Sequence, residues 1–249
     1  MTHDKVYIYG THAVTEALTY APHTLEEIFA AKNFDDAILL MLVKKHAIPF
    51  YHKMPQDFDD SAVHQGIVGV VSLSRLTRSY EEFCKNLIVG PDTALVLLGE
   101  LSDPQNVGAI IRSAAAFGVS GVLMPEHNQA PVTGSVVKVS AGMIFRIPLV
   151  SISNVNSAVR KLKELGFWVY GLDGGAKQNI TEEKFDAPTL FILGNEEKGI
   201  RLKTRELCDV LLSIPINPRC QSLNVAASAA AALYAWSVKH PQALRAAKD

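Results

Sequence analysis

The chain has 249 residues, of which 48% are apolar and 20% are charged, and its formal net charge at pH 7 is -1. This balance is typical of a soluble globular protein with a sizeable core, built as one large domain or two modest ones. The near-neutral charge and a pI of about 6.7 argue against a protein that coats nucleic acid through bulk positive charge. A local basic patch that binds a structured RNA stays compatible with these numbers.

The cysteines and histidines predict neither a disulfide framework nor a metal site. Cys84, Cys208 and Cys220 are far apart, no C-x-x-C occurs, and the eight histidines show no metal-ligand spacing. Reduced thiols in a cytosolic protein are the simplest interpretation. The first residues lack the basic and apolar regions of a signal peptide, and no apolar run is long enough to span a bilayer. We therefore expect a cytoplasmic protein without a metal and without a membrane partner.

Short elements alternate through the first part of the chain, which predicts a small α/β domain over residues 1–73. A helix over residues 11–18 is expected to be capped by Thr11. Residues 74–92 are polar and mixed, which favours a linker. The other predicted elements of this part are strands at residues 6–8, 27–31, 48–51 and 66–73 and a helix at residues 35–46.

Longer α/β units follow over residues 93–249. Continuous apolar strands that alternate with helices predict a mostly parallel sheet covered on both faces. The strands are expected at residues 94–99, 120–124, 147–150, 167–170, 190–193 and 210–214, and the helices at residues 107–117, 132–144, 154–165 and 224–238.

The first of three polar segments that follow apolar strands is residues 103–112, DPQNVGAIIR. Asn106 suits a helix cap, and Gly108 suits a place where something approaches the backbone closely. Arg112 lies on an otherwise apolar helix, so its side chain must extend to solvent or face a polar cavity. Taken alone, Arg112 is more often a surface or salt-bridge residue.

The other two segments are residues 194–200, GNEEKGI, and residues 214–224, IPINPRCQSLN. A glycine directly after a buried strand lets backbone groups face a ligand, and a polar loop before a helix can hold an anionic or polar ligand. Alone, residues 194–200 are better explained as a charged surface turn. The segment that begins at residue 214 is equally compatible with an ordinary helix cap and with a ligand site. Together, at the exits of strands in one parallel sheet, the three segments predict a ligand-binding crevice.

The ordered segments DPQNVGAIIRSA, GNEEKGI and IPINPRCQSLNVAAS resemble the three motifs of the SpoU (TrmH) branch of the SPOUT RNA methyltransferases. The front-end segments YGTHAV (residues 9–14) and HQGIV (residues 64–68) resemble the ribosomal-protein-like RNA-binding domain of the large-subunit rRNA guanosine 2'-O-methyltransferases. The similarity covers nearly the whole chain. It implies an α/β fold in which a SPOUT domain, a parallel sheet with a trefoil knot, follows a small substrate-binding domain.

The resemblance also implies a cofactor and an assembly. S-adenosylmethionine would be held largely by backbone groups at Gly194, Ile214 and Leu223. The family forms homodimers, and the small residues at 226–232 permit close helix packing. The implied partner is a structured RNA, and Lys32, Lys44, Lys45, His46, His52 and Lys53 could form the local basic patch or simply a solvated face.

The implied reaction transfers the sulfonium methyl to a ribose 2'-hydroxyl. The family's proposed base corresponds to Arg112, but deprotonating an arginine at pH 7 costs roughly 8 kcal/mol, which favours a phosphate clamp that stabilises the developing alkoxide. Asn106 and Asn224 would orient Arg112 or the ribose. Ser222 would hydrogen-bond nearby, and Glu196 would fix the knot loop or Arg112.

Several alternatives stay open. A guanosine of 23S rRNA is the favoured target, with a tRNA D-loop guanosine, a resistance-type rRNA site or a non-catalytic RNA-binding module as competitors. The glycines at residues 171–175, GLDGG, suggest a nucleotide-binding oxidoreductase, but they lack the G-x-G-x-x-G order and better suit a loop beside the cofactor pocket. Two departures from the family pattern are the loop at residues 217–221, which lacks the usual glycine, and the Ala-Ala-Ser at residues 226–228.

Overall fold

The computed structural model describes residues 4–55 and 65–245, so His64 of the front-end segment lies outside the described residues. The strands are β1 (Lys5–Tyr9), β2 (Leu25–Ala30), β3 (Phe50–Tyr51), β4 (Ile67–Ser72), β5 (Thr77–Ser79), β6 (Ala94–Leu98), β7 (Gly121–Pro125), β8 (Leu149–Ile152), β9 (Trp168–Leu172), β10 (Gln178–Asn179), β11 (Thr189–Leu193) and β12 (Val210–Ser213). The α-helices are α1 (Thr11–Tyr20), α2 (Ala37–His46), α3 (Leu73–Leu76), α4 (Tyr80–Asn86), α5 (Pro104–Ala116), α6 (Gly134–Val139), α7 (Val155–Glu164), α8 (Leu202–Arg205) and α9 (Val225–Lys239).

The front of the chain forms a 4-stranded sheet in the order β1-β4-β2-β3. Strand β4 pairs antiparallel with β1 and β2, while β2 and β3 are parallel. Helix α2 is capped by Asp36, whose side chain accepts a hydrogen bond from the backbone of Leu39 at 3.0 Å. The predicted cap of α1 is wrong: Thr11 is the first helical residue, and Gly10, with φ 89°, occupies the cap without a side-chain bond.

The rest of the chain forms an 8-stranded sheet in the order β10-β12-β9-β11-β6-β7-β8-β5, and its pairings are parallel. Side chains alternate between the two faces, as the geometry of a strand requires. In β6, Val96 and Leu98 join the core under α5, α6 and α9, whereas Leu95 and Leu97 join the core under α4 and α7. The predicted parallel sheet with helices on both faces is confirmed.

Residues 74–92 are ordered rather than an irregular linker. Strand β5 pairs with β8 at the edge of the large sheet, and α4 buries Tyr80 and Phe83 against the same core as α7. The Tyr80 hydroxyl donates to the carbonyl of Ala158 at 2.9 Å. The aromatic pair at i and i+3 was the missed signal, because it marks a helix face that packs on a core. The division into domains stays a prediction.

The segment that follows β12 crosses the ends of other strands of the large sheet. Strand β12 lies between β9 and β10, yet the following helix α9 packs against α5, which follows β6. The segment between β12 and α9 therefore passes the ends of β9 and β11. The trefoil knot implied by the resemblance stays a prediction.

A charged contact joins the front sheet to the large one. Arg146 donates from Nε and Nη2 to the two carboxylate oxygens of Glu16, both at 2.7 Å, and its guanidinium lies 3.8 Å from the ring centre of Tyr20. Helix α6 packs closely on β1: a Cβ at Gly134 would lie 2.4 Å from the carbonyl oxygen of Tyr7. These contacts hold the two sheets in one relative position.

We expect the substitution Glu16→Gln to lower the free energy of unfolding by about 1–3 kcal/mol, because the glutamine amide would face the Arg146 donors and leave a half-buried charge without its partner. Urea unfolding at pH 7 measures the change. The matched control is Glu26→Gln, since Glu26 pairs with Lys5 at 3.0 Å on the solvent side of the front sheet, where an ion pair contributes about 0.2–1 kcal/mol. Equal losses of unfolding free energy in Glu16→Gln and Glu26→Gln would contradict the view that the Glu16–Arg146 contact is the stronger of the two ion pairs.

Candidate active site

A cavity of about 350 Å³ opens at the carboxyl ends of β9, β11 and β12. Its floor is apolar and is formed by leucines at the ends of these strands, Leu172, Leu193 and Leu212. Loop residues form its walls, and those named in the sequence analysis are Asp173, Gly174, Gly194, Glu196, Ile214, Ser222, Leu223 and Asn224. Asp173 and Gly174 of the GLDGG segment border this cavity together with residues of the two later motifs, and their place beside a cofactor stays a prediction. We call this space the motif cavity.

A chain of side-chain hydrogen bonds joins the three predicted motifs. Asn224 donates from Nδ2 to Oδ1 of Asn106 at 2.9 Å, and Asn106 donates from its own Nδ2 to Oε1 of Glu196 at 2.9 Å. Asn106 is buried, so its amide needs these partners. The chain links the start of α9, the first turn of α5 and the loop after β11.

The Glu196 carboxylate is held by further donors from the loop after β6. It accepts hydrogen bonds from the backbone amides of Ser102 at 3.2 Å and Asp103 at 3.4 Å, and from the Ser102 hydroxyl at 3.2 Å. Partial burial raises the pKa of Glu196, but the hydrogen bonds from Asn106 and from backbone amides outweigh it, so the pKa lies below the ordinary 4.5. Glu196 is therefore ionised at neutral pH and is a poor proton acceptor there.

The two asparagines differ in their position at the helix starts, and the predicted cap at Asn106 is wrong. Asn224 caps α9, since its Oδ1 accepts from the backbone amides of Ala226 at 2.8 Å and Ala227 at 3.3 Å. Asn106 lies inside α5 and is not its cap: Asp103 caps the helix through a 2.8 Å bond from the amide of Gln105. Aspartate followed by proline at the first helical position is the stronger start signal.

Gly108 is required by helix packing. A Cβ there would lie 2.8 Å from Cβ of Val139 and 2.9 Å from the carbonyl oxygen of Val136, both in α6. The close approach that the sequence predicted at Gly108 is therefore that of a neighbouring helix, on the side of α5 away from solvent.

The loop after β11 folds back on itself. Sequence reasoning missed Asn195 and Glu100, which hold this loop. Asn195 and Gly199 exchange backbone hydrogen bonds at 3.1 and 2.9 Å, and a Cβ at Gly194 would lie 2.4 Å from the carbonyl carbon of Gly199. Glu100, in the left-handed region with φ 61°, accepts from Nδ2 of Asn195 at 2.8 Å and pairs with Arg201 at 2.5 Å. No pattern marks a glutamate for this conformation, which non-glycine residues seldom adopt.

Of the predicted site residues, Arg112 and the buried Asn106 do not line the motif cavity, and only Asn106 is bonded to residues that do. Arg112 stands apart from the site. It is exposed on the outer face of α5, does not line the motif cavity, and makes no hydrogen bond or ion pair with the residues that the structure describes. Neither Asn106 nor Asn224 hydrogen-bonds to Arg112 in this structure. Their amides bond to each other and to Glu196 instead. Its side chain is free to contact a bound molecule.

The loop that departs from the family pattern is a tight turn on the surface. Asn217 accepts from the amide of Arg219 through its side chain at 3.0 Å and from the amide of Cys220 through its carbonyl at 2.8 Å. Asn217 thus supplies the turn in place of a glycine. Ser222, just beyond it, is exposed at the rim of the motif cavity.

The described part of the chain contains no group of three or more histidine, cysteine, aspartate or glutamate side chains placed to hold a metal ion. Within the same residues, none of the helices combines the length and the apolar character needed to cross a bilayer.

We expect Glu196→Gln to lower the free energy of unfolding at pH 7 by about 1 kcal/mol, because the glutamine amide would oppose the backbone donors while solvent screens part of the lost charge. The folded-state pKa of Glu196 is depressed, so its contribution is present above 4.5 and is lost as the pH falls below that value. The difference between wild type and variant should shrink from pH 7 to pH 3 in urea unfolding. Glu197→Gln, a neighbouring exposed position, should differ little from wild type at any pH; a pH-independent Glu196→Gln difference would refute this account.

Comparison with known proteins gives the family. A profile of the SpoU rRNA Methylase family matches residues 93–234, and one described as RNA 2'-O ribose methyltransferase substrate binding matches residues 7–77. The 23S rRNA (guanosine-2'-O-)-methyltransferase RlmB of Nitrosomonas europaea is 34% identical over 97% of this chain and 94% of its own length. That of Escherichia coli K12 is 34% identical over 91% of this chain and 96% of its own length.

Solved structures support the fold. The SpoU methyltransferase AviRb from Streptomyces viridochromogenes, in complex with the cofactor AdoMet, aligns with a TM-score of 0.80 at 24% identity, over 96% of this chain and 91% of that one. An rRNA methyltransferase from Sinorhizobium meliloti, with AdoMet bound, aligns with a TM-score of 0.76 at 18% identity, over 94% and 87% of the two chains. The profile matches most of the large sheet, and the named relatives align over nearly the whole length of the chain. The chain therefore belongs to the SpoU rRNA methylase family.

Proposed function

We propose that this protein is an RNA 2'-O-ribose methyltransferase that uses S-adenosylmethionine and acts on a guanosine of 23S rRNA. The observation that carries the proposal is the hydrogen-bonded chain Asn224–Asn106–Glu196, whose two ends, Asn224 and Glu196, line the motif cavity. It joins the three segments that resemble the SpoU motifs, and relatives that align over nearly the whole chain are named 23S rRNA (guanosine-2'-O-)-methyltransferase.

The motif cavity fits S-adenosylmethionine in size and in chemistry. About 350 Å³ is within the range of small-molecule sites, and an apolar floor of strand-end leucines suits a planar adenine. Backbone groups at Gly194, Ile214 and Leu223 would hold the cofactor. When bound, it supplies a methyl group already activated as a sulfonium.

The residues of this chain would then position the ribose. Asn224 lines the motif cavity together with the exposed Ser222, and it keeps one amide hydrogen beyond the bond that it donates to Asn106. The buried Asn106 accepts that bond and is itself bonded to Glu196. Because Glu196 and the helix start fix both amides, the groups are held ready for a hydroxyl rather than reorganised on binding.

Arg112 would bind an RNA phosphate and stabilise the oxygen that loses its proton. The guanidinium is exposed and free, so it can reach a backbone phosphate in the planar, bidentate manner of arginine. Glu196, held ionised with a lowered pKa, fixes the loops instead of titrating. The proton of the 2'-hydroxyl would leave to water or to a substrate phosphate.

The front sheet would carry the RNA. Lys32, Lys44, Lys45 and Lys53 are exposed, and Lys53 lies 5.5 Å from the ring centre of the exposed Tyr51. Cations beside an exposed aromatic ring are suited to phosphates and unstacked bases. This arrangement supports a local basic patch within a chain of nearly neutral charge.

A homodimer would cover the outer face of α9. Tyr234 and Val238 are each 60% exposed on the same face, one turn apart, and the earlier turns of this face carry alanines. Small residues beside a large apolar pair allow close helix approach, and such a patch marks a protein interface.

The activity is tested with radiolabelled S-adenosylmethionine, unmodified 23S rRNA and, separately, bulk tRNA, followed by primer extension at low nucleotide concentration. We expect label on 23S rRNA and one strong stop. Label on tRNA alone would keep the chemistry and overturn the target. Binding of RNA without label on either would indicate the non-catalytic module.

We expect Arg112→Lys to lower kcat/KM for RNA at least tenfold, since lysine cannot form the bidentate contact. The unfolding midpoint should be unchanged, because the Arg112 side chain makes no hydrogen bond or ion pair within residues 4–55 and 65–245. Arg160→Lys, at an exposed position of α7, serves as the control and should keep wild-type activity. Full activity of Arg112→Lys would remove Arg112 from the site.

We expect Tyr234→Glu to convert a dimer to a monomer in sedimentation equilibrium, because a charge would be buried in the α9 interface. Ile88→Glu is the matched control, an exposed apolar residue far from α9 in the chain with 90% exposure. A wild-type monomer, or a dimer that both substitutions leave intact, would contradict the proposed interface.

A further inference from the structure

A second cavity, of about 280 Å³, lies at the same edge of the large sheet but on the opposite face. Its floor includes Leu97 of β6 and Ile192 of β11, which belong to the core under α4 and α7. The floor of the motif cavity includes Leu193, which belongs to the other core. Alternation along β11 therefore places the two cavities back to back.

The second cavity sits where the sheet reverses its strand order. From β6 the chain passes through α5 to the neighbouring β7, whereas from β11 it passes through α8 to β12, on the other side. The loops that leave β6 and β11 thus diverge to opposite faces, which opens a crevice at the carboxyl ends of these two strands. Parallel α/β sheets hold ligands at this point.

The lining has the composition of a ligand site. Leu97, Ile192 and Ile200 are apolar, and the rim carries His127, Asn128 and Ser153. None of these three rim side chains has a hydrogen-bond partner within residues 4–55 and 65–245. An apolar floor below a few open polar groups is suited to a planar heterocycle whose edges form hydrogen bonds.

A single loop separates this cavity from the motif cavity. Asn195, Glu196 and Gly199 line the motif cavity, and the next residues, Ile200 and Arg201, line the second one. Glu100 reaches both parts of this loop, through its carbonyl to Asn195 and its carboxylate to Arg201. A group held in the second cavity therefore lies one loop away from the place of methyl transfer.

We infer that the second cavity binds a nucleoside of the substrate RNA that is turned out of its stack while the ribose of the target is held at the motif cavity. This inference rests on the proposed function, and it makes the second cavity part of the RNA-binding surface. Sequence-specific recognition of structured RNA largely uses bases splayed out of loops and bulges, and a site that receives such a base lowers the cost of unstacking it.

The first test removes the open polar groups with His127→Ala combined with Asn128→Gly. Asn128 has φ 57°, so glycine keeps the backbone while the amide is lost. With unmodified 23S rRNA, we expect the KM for RNA to rise about tenfold, as the loss of two hydrogen bonds implies, while kcat changes much less. The dissociation constant for S-adenosylmethionine should stay at the wild-type value, which also shows that the variant is folded.

The control is Gln242→Ala, which removes an exposed amide far along the chain from this cavity and should leave both constants unchanged. A second variant, Ser153→Trp, blocks the rim by bulk at an exposed position and should raise the KM at least as much.

Occupancy is measured directly by photo-crosslinking with 23S rRNA transcripts that contain 4-thiouridine or 6-thioguanosine. We expect cross-links to peptides that contain residues 127–129 or 153–156 and their loss in Ser153→Trp. Wild-type methylation of rRNA with an unchanged KM in both variants and no such cross-links would overturn this inference and keep the proposed function. Absence of methylation by the wild type on any RNA would overturn the proposed function itself.

Discussion

The geometry of the candidate site depends on the carboxylate of Glu196. It accepts hydrogen bonds from the loop after β6, at Ser102 and Asp103, and from Asn106 in α5. Through Asn106 it also fixes Asn224 and the start of α9. A single anion thereby joins chain segments about a hundred residues apart, and its lowered pKa keeps it charged at neutral pH. Without the negative charge, the N–H groups of Ser102, Asp103 and Asn106 would face one another with no shared acceptor.

The alternating faces of the parallel sheet explain why the same edge carries two cavities. Leu193 and Ile192 are adjacent in β11 but point to opposite cores, so the loop that follows β11 has one side toward each cavity. Glu100 and Asn195 hold this loop in place. The contact of Glu16 with Arg146 then sets the position of the front sheet relative to the large one. The relative position of the motif cavity and the front sheet is thus set by packed helices and strands.

Much of the fold was predictable because its signals are local. Apolar strands such as 94–99 and 190–193, and helices ended by glycine, need only their own residues to be recognised. Some predictions failed because a neighbouring residue was the stronger helix cap, and others failed because helix packing decides which groups come into contact. Asp103 with Pro104 outcompeted Asn106 as a cap, Gly108 faces α6 rather than a ligand, and α4 was concealed by the polar residues around Tyr80 and Phe83.

The sequence by itself determined the class of the fold, the family and the motif residues, since periodicity and ordered motifs are properties of the chain alone. Only the tertiary structure decided what those residues contact. It joined Asn106, Glu196 and Asn224, left Arg112 exposed, and placed Glu100 in a left-handed conformation that clamps the loop after β11. The physical reason is that hydrogen-bond partners and cavities arise from segments distant in the chain, whose relative positions are set by strand order and helix packing.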